Sequence, residues 1–179
     1  MEHITTYSGE DFFPANPDIN QIHIEDIAHA LSMMCRANGH FVRFYSVAQH
    51  CLNCASEAES RGYSRRVQLA CLLHDASEAY ISDVTRPVKI HLPQYRLIEE
   101  RLQEVIYVKF LGSPLTDEES DQVGLVDNDL LVVEFDSMMR KRVFDKVPDM
   151  KSSPVLEFVP FDEVEREFVV KWVDFSANL

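Results

Sequence analysis

Between residues 24 and 37 apolar side chains return every three or four positions, as Ile24, Ile27, Ala28, Leu31 and Met34. That spacing marks one face of an α-helix, and Asn38-Gly39 supplies its C-terminal stop. Ser46 can cap a second helix reaching about Ser60, with Val47, Cys51, Cys54, Ala55 and Ala58 on its inner stripe and His50 beside it. Ser64 caps a third, whose run Val67, Ala70, Cys71, Leu72 and Leu73 is nearly all apolar and ends in His74-Asp75. Beyond the Arg86-Pro87-Val88-Lys89 loop, Tyr95 to Phe110 reads as a long helix closed by Gly112. Thr116 to Glu119 resembles a capping box opening a helix that runs past Asp127 towards Arg142. A last helix spans about Asp162 to Val173. The pattern predicts an all-α bundle of about six helices, preceded by a short hairpin or extended arm around Thr5 to Phe13.

Prolines gather at 14 to 17, 87 to 93 and 148 to 160 and mark the joints. The chain of 179 residues fits one domain able to bury its own core. Within it, 1–20 reads as an N-terminal arm and 148–179 as a C-terminal helix and tail. The four cysteines, at 35, 51, 54 and 71, fall in helix-like sequence, which points to reduced, buried thiols and not to a secreted disulfide framework. The opening residues lack a basic segment followed by an apolar run, and no stretch approaches the roughly 18 apolar residues of a membrane span. The expected location is the cytoplasm, with no membrane partner.

A net charge of −13 repels a nucleic-acid backbone, so duplex DNA or RNA is not an expected partner. A small phosphate substrate is compatible, because a divalent metal and a few local cations can invert the field inside one site. The polar pair ending so apolar a helix supplies candidates. His50, His74, Asp75 and Asp127 come from three helices, and two imidazoles with two carboxylates converging in a bundle core can bind a divalent transition metal. Glu78, four residues after His74 and three after Asp75, shares their face if the helix continues. Asp129 competes with Asp127 but faces away on the same helix. Cys51-x-x-Cys54 has no second cysteine pair and lies on the apolar stripe, which favours core thiols. His29 and His40 read as packing residues or hydrogen-bond donors, and His23 and His91 as surface residues. Asp117 to Asp121 reads as a solvated helix start.

The order His50, His74-Asp75, Asp127 resembles the H…HD…D signature of the HD-domain superfamily of metal-dependent phosphohydrolases. The stretches Ile24 to Ser32, Arg43 to His50 and Leu72 to Tyr80 are similar to the small branch containing the 5′-deoxynucleotidases and the phage dATP triphosphohydrolases. The likeness covers about Thr6 to Met139, and the Asp-x6-Glu spacing from Asp127 to Glu134 belongs to it. The resemblance implies an HD helical bundle holding a divalent ion (Zn, Mn, Co, Fe, Ni or Mg) on His50, His74, Asp75 and Asp127. It implies Glu78 and Asp83 as catalytic acids and Arg36 and Lys89 as contacts to the substrate's phosphates or sugar. The implied activity is hydrolysis of a deoxynucleotide, from monophosphate to nucleoside or from triphosphate to nucleoside plus tripolyphosphate, by a protein that forms a homodimer or larger homo-oligomer. One departure concerns the substrate: Ala37 stands where the deoxynucleotidases place an aromatic residue against the sugar. The competing reading is a non-catalytic nucleotide-binding sensor or interaction module on the same scaffold.

Overall fold

A computed structural model describes residues 2–177 and 179. Six long helices and two one-turn helices form the bundle among the described residues. They are α1 (Ile24–Met33), α2 (Val47–Ser60), α3 (Arg65–Leu73), α4 (Glu78–Ile81), α5 (Arg86–Lys89), α6 (Pro93–Leu111), α7 (Asp117–Met138) and α8 (Phe161–Ser176). The all-α expectation holds, and so does the N-terminal hairpin. Strands β1 (Ile4–Thr5) and β2 (Asp11–Phe12) pair antiparallel, with Ile4 opposite Phe12. No helix among the described residues is long and apolar enough to cross a membrane.

Helix α2 is the centre of the assembly, packed by α1, α3, α7 and α8. Its sequence explains that place: small and apolar residues cover most of its circumference, and Val47, Ala48, Cys51, Cys54, Ala55 and Ala58 are all buried. Ser46 caps it by accepting from the Gln49 amide. One core joins α1, α2, α3, α6 and α8 around Ile27, Leu31, Leu72, Leu73, Leu102 and Phe168. A second joins α2, α3 and α7 around Cys54, Cys71, Val126 and Leu130. The hairpin is pinned to the bundle by Phe12, buried against Tyr80, and by Asp26, which accepts from the Ser8 amide at 2.6 Å and the Ser8 hydroxyl at 2.8 Å.

Four boundaries differ from the sequence reading. Helix α1 stops at Met33, four residues early, because Met34 and Cys35 turn extended. The Arg36 amide donates to the Tyr45 carbonyl, the Val47 amide donates to the Met34 carbonyl, and Cys35 bridges Ser46. Cys35 therefore lies outside any α-helix and is only half-buried, unlike the three core thiols; all four are free. Helix α3 ends at Leu73, and His74 to Ser77 form tight turns before α4 begins. Helix α7 ends at Met138 and not near Arg142, and Arg86 to Lys89, read as loop, forms a helical turn opened by Pro87.

The tail is a strap laid along α2. Glu57, fully buried, accepts from the amides of Lys151 and Ser152, from the Ser152 hydroxyl and from Arg61. Gln49 donates to the Val155 and Glu157 carbonyls, and Asn53 pairs with both the amide and the carbonyl of Val155. Burial pushes the Glu57 carboxyl up, but the hydrogen bonds from Ser152, Lys151 and Arg61 outweigh it and bring its pKa from 4.5 down to about 2. A depressed carboxylate stabilises the fold above its unfolded value and stops doing so as pH falls towards its folded value. Glu57→Gln is expected to lower stability at neutral pH by on the order of 2 kcal/mol. In urea titrations the gap to the unmodified protein should close as pH drops from 4.5 towards 2.

Candidate metal centre

Helix α2 and its neighbours α3 and α7 bring the candidate donors together. His50 projects from the first turn of α2, His74 caps the end of α3, Asp75 follows it in the turn, and Asp127 comes from the middle of α7. The His50 Nε2 lies 3.2 Å from the His74 Nε2, 3.2 Å from Asp127 Oδ1 and 3.9 Å from Asp75 Oδ2. The His74 Nε2 is 3.3 Å from Asp75 Oδ2 and 3.7 Å from Asp127 Oδ1. Donors held at about 2.0 to 2.2 Å from one ion stand roughly 3 to 3.6 Å from each other; three of the five spacings fall in that range, and those of 3.7 and 3.9 Å run slightly longer. The tight turns after Leu73 put Asp75 next to His74 at the centre without the continued helix that the sequence suggested.

Both imidazoles are oriented from behind. His50 Nδ1 is 2.6 Å from Glu134 Oε1, and His74 Nδ1 donates to the Cys71 carbonyl at 2.8 Å. With Nδ1 committed, each ring turns its Nε2 to the other and to the carboxylates. Burial works against a charged His74, yet Asp75, Cys51 and Asp127 together hold its pKa well above the ordinary value. Burial likewise opposes the Asp127 carboxylate, and the hydrogen bonds from His50 and His74 hold it well below its usual range. The two Nε2 atoms facing each other at 3.2 Å set up a lone-pair repulsion that a shared cation would relieve.

Glu134 organises the back of the centre. Fully buried on α7, it faces His50, accepts from the Tyr45 hydroxyl at 2.9 Å and accepts from Arg36 Nε at 2.9 Å. Asn53 donates to the same Tyr45 oxygen at 2.8 Å. Burial pushes the Glu134 carboxyl up, and His50 and Arg36 bring it down to about 2.

The thiols belong to this neighbourhood as well. His50, Cys54 and His74 form one donor set able to hold a metal ion, and Cys51, His74 and Asp75 form another, with ligand atoms in each within 4.8 Å of one another. The Cys54 Sγ is 3.5 Å from His50 Nε2. Both cysteines are core residues, as their place on the stripe suggested, and they also back onto the centre. Burial pushes both thiols up.

The remaining candidates divide. Glu78, at the start of α4, is 5% exposed, and its Oε2 has no hydrogen-bond partner. Burial, with Asp75 and Asp83 nearby, drives its pKa well up against the pull of Lys89 and Arg36. Asp83 is half-buried and also raised, by burial and Asp75 against the pull of Arg36 and Lys89. Arg36 points inward and not to solvent: Nη1 is 3.4 Å from Asp75 Oδ2, Nη2 is 3.6 Å from Asp127 Oδ1, and Nε holds Glu134. Lys89 Nζ sits 2.5 Å from Glu99 and 3.9 Å from Glu78. Asp129 turns away to Arg61, as its spacing required. His29 stacks on Tyr7 and faces Glu165, His40 is exposed, His23 is half-buried beside Glu10, and His91 is exposed.

Sequence reasoning missed Tyr45 and Asn53, whose roles depend on a hydrogen-bond path across helices. It also missed Arg86, whose Nη2 is 3.1 Å from Asp127 Oδ2. Arg86 opens the Arg86-Pro87-Val88-Lys89 segment, but nothing in that segment distinguishes it from a solvated arginine.

No protein-family model matches the chain. It is 35% identical over 164 residues to the uncharacterized protein YfdR of Escherichia coli (strain K12), spanning 92% of this chain and 84% of that one. It is 37% identical over 109 residues to the uncharacterized protein RCAP_rcc00048 of Rhodobacter capsulatus, spanning 58% of this chain and 55% of that one.

Removing Glu134 leaves a buried guanidinium with one carboxylate fewer and frees the His50 ring. Glu134→Ala is expected to destabilise the fold by about 3 to 5 kcal/mol. Guanidinium unfolding midpoints measure it, and a loss below about 1 kcal/mol would show that the buried network contributes little.

Proposed function

The chain belongs to the family of the Escherichia coli protein YfdR, and we propose that it is a metal-dependent phosphohydrolase acting on deoxynucleotides. The observation that carries the reading is the convergence of His50, His74, Asp75 and Asp127, with donor atoms 3.2 to 3.9 Å apart, around the approach to a buried Glu78 oxygen that lacks any partner. With both Nδ1 atoms committed, two Nε2 atoms facing each other at 3.2 Å beside two carboxylates call for a proton or a cation between them, so the donor chemistry fits a divalent ion. His50, His74, Asp75 and Asp127 would hold it. Bound there, such an ion supplies acidified water and polarises a phosphoryl oxygen.

The protein's own groups account for the rest. Glu78 stands one turn from Asp75 with a raised pKa, which suits a carboxylate that takes a proton from the attacking water near neutral pH. Asp83, raised less, is the acid available to the leaving oxygen. Arg36 holds Asp75, Asp127 and Glu134 in register, and so fixes the donor set from inside. Lys89 sits 3.9 Å from Glu78 and steadies it. A homodimer or larger assembly and a cytoplasmic location complete the proposal.

The deciding experiment incubates purified protein with nucleoside mono-, di- and triphosphates under Mn, Co, Zn or Mg, with phosphate, pyrophosphate and tripolyphosphate read separately. Turnover of a deoxynucleotide is expected, and Asp75→Ala should lose both bound metal and hydrolysis. Retained turnover in that variant sinks the mechanism, and an inactive panel with nucleotide binding intact supports the sensor reading instead.

Metal uptake should also depend on pH in a defined direction. The His74 proton, held by Asp75, Cys51 and Asp127 above the ordinary histidine range, must leave before its Nε2 can ligate. Zn affinity is expected to tighten as pH rises through neutrality with proton release, which calorimetry in buffers of different ionisation heat detects. An affinity flat in pH would contradict this assignment of the proton.

A further inference from the structure

Three cations surround the centre, and they differ in what they are free to do. Arg36 is buried, with each of its guanidinium nitrogens directed at a carboxylate. Lys89 is held between Glu99 and Glu78, over the Tyr95 ring. Arg86 is different: its side chain is 62% exposed, and its contact is one nitrogen on Asp127 Oδ2. The other Asp127 oxygen faces the histidines at 3.2 Å from His50. Asp127 is thus gripped on its inner side by the donor set and on its solvent side by Arg86.

We propose that Arg86 is the residue that receives the phosphate-bearing end of the ligand, exchanging Asp127 Oδ2 for phosphoryl oxygens; this rests on the phosphohydrolase reading above. The chemistry favours the exchange. A guanidinium offers five N–H donors in a planar fork, and the pairing with Asp127 leaves most of them for an anion. The pair is open on its Arg86 side and rests on one hydrogen bond, whereas two parallel hydrogen bonds to a phosphoryl group are strong and directional. A carboxylate committed to a metal also attracts a second cation less, which loosens Arg86 when the donor set is loaded. With a net charge of −13 on the chain, an incoming polyphosphate needs an accessible cation beside the centre, and Arg86 is placed to be the one it meets.

Calorimetric titration of the full-length protein with phosphate, pyrophosphate and tripolyphosphate, with and without Mn, tests this. Arg86→Ala should weaken the tightest of these interactions about tenfold or more. Arg86→Lys should fall between, having the charge but not the fork. Mn affinity should be unchanged or tighter in both variants, since Arg86 competes for a donor carboxylate, and Arg96→Ala, on the exposed side of α6, should keep the anion affinity. Equal anion affinity in Arg86→Ala and the unmodified protein overturns the proposal, as does failure of the unmodified protein to bind any of the three anions. Arg86-dependent binding without turnover of any nucleotide would leave the anion site standing and remove the hydrolase reading.

Discussion

A carboxylate that is wholly removed from water must be answered by donors, and Glu134 is where this fold meets that demand. Its two oxygens are met by Arg36, Tyr45 and His50, which come from the loop after α1, the loop before α2 and α2 itself. Satisfying one group thus fixes the relative position of three segments on α7. Taking a charge out of water costs several kcal/mol, so an arrangement with any donor missing is strongly disfavoured. The same bonds turn the His50 ring and aim Arg36 at Asp75 and Asp127. The geometry of the candidate centre follows from the neutralisation of a residue that itself touches neither solvent nor ligand.

Most helices could be read from the sequence because their burial is periodic. Ile24 to Leu31, the Ser46 cap and the capping box of Thr116 and Glu119 are local signals, and the structure uses them where they stand. The misplaced ends are those decided by distant partners. Nothing local stops α1 at Met33; the chain leaves the helix to pair Arg36 and Met34 with Tyr45 and Val47. Ala37 and Asn38 then take left-handed conformations, at φ 54° and 50°, which few side chains other than asparagine adopt without strain. The tail was opaque for the same reason, since Glu57, Gln49 and Asn53 look like ordinary polar helix residues until residues 151–157 are laid over them.

The four candidate donors stood out because histidine and aspartate at the ends and faces of apolar helices have few cheaper explanations. Their cationic neighbours did not. The resemblance marks Arg36 and Lys89 alike as substrate contacts and passes over Arg86, and only the packing assigns one to buried carboxylates, one to Glu99 and one to the solvent face of Asp127. The thiols carry the same lesson: Cys51 and Cys54 are core residues by pattern, yet the helix that buries them also sets them against the imidazoles.

The strap along α2 has one further implication. Val155 binds Asn53, Asn53 donates to Tyr45, Tyr45 donates to Glu134, and Glu134 orients His50. An unbroken chain of hydrogen bonds therefore links an irregular surface segment, late in the polypeptide, to the innermost imidazole. Segments of this kind ordinarily drift in sequence with little penalty. Here a change that shifts the backbone at Val155 is expected to reach the tilt of a ring four partners away. The strap and the candidate centre are thus mechanically one unit, even though nothing in the strap's own side chains records the dependence.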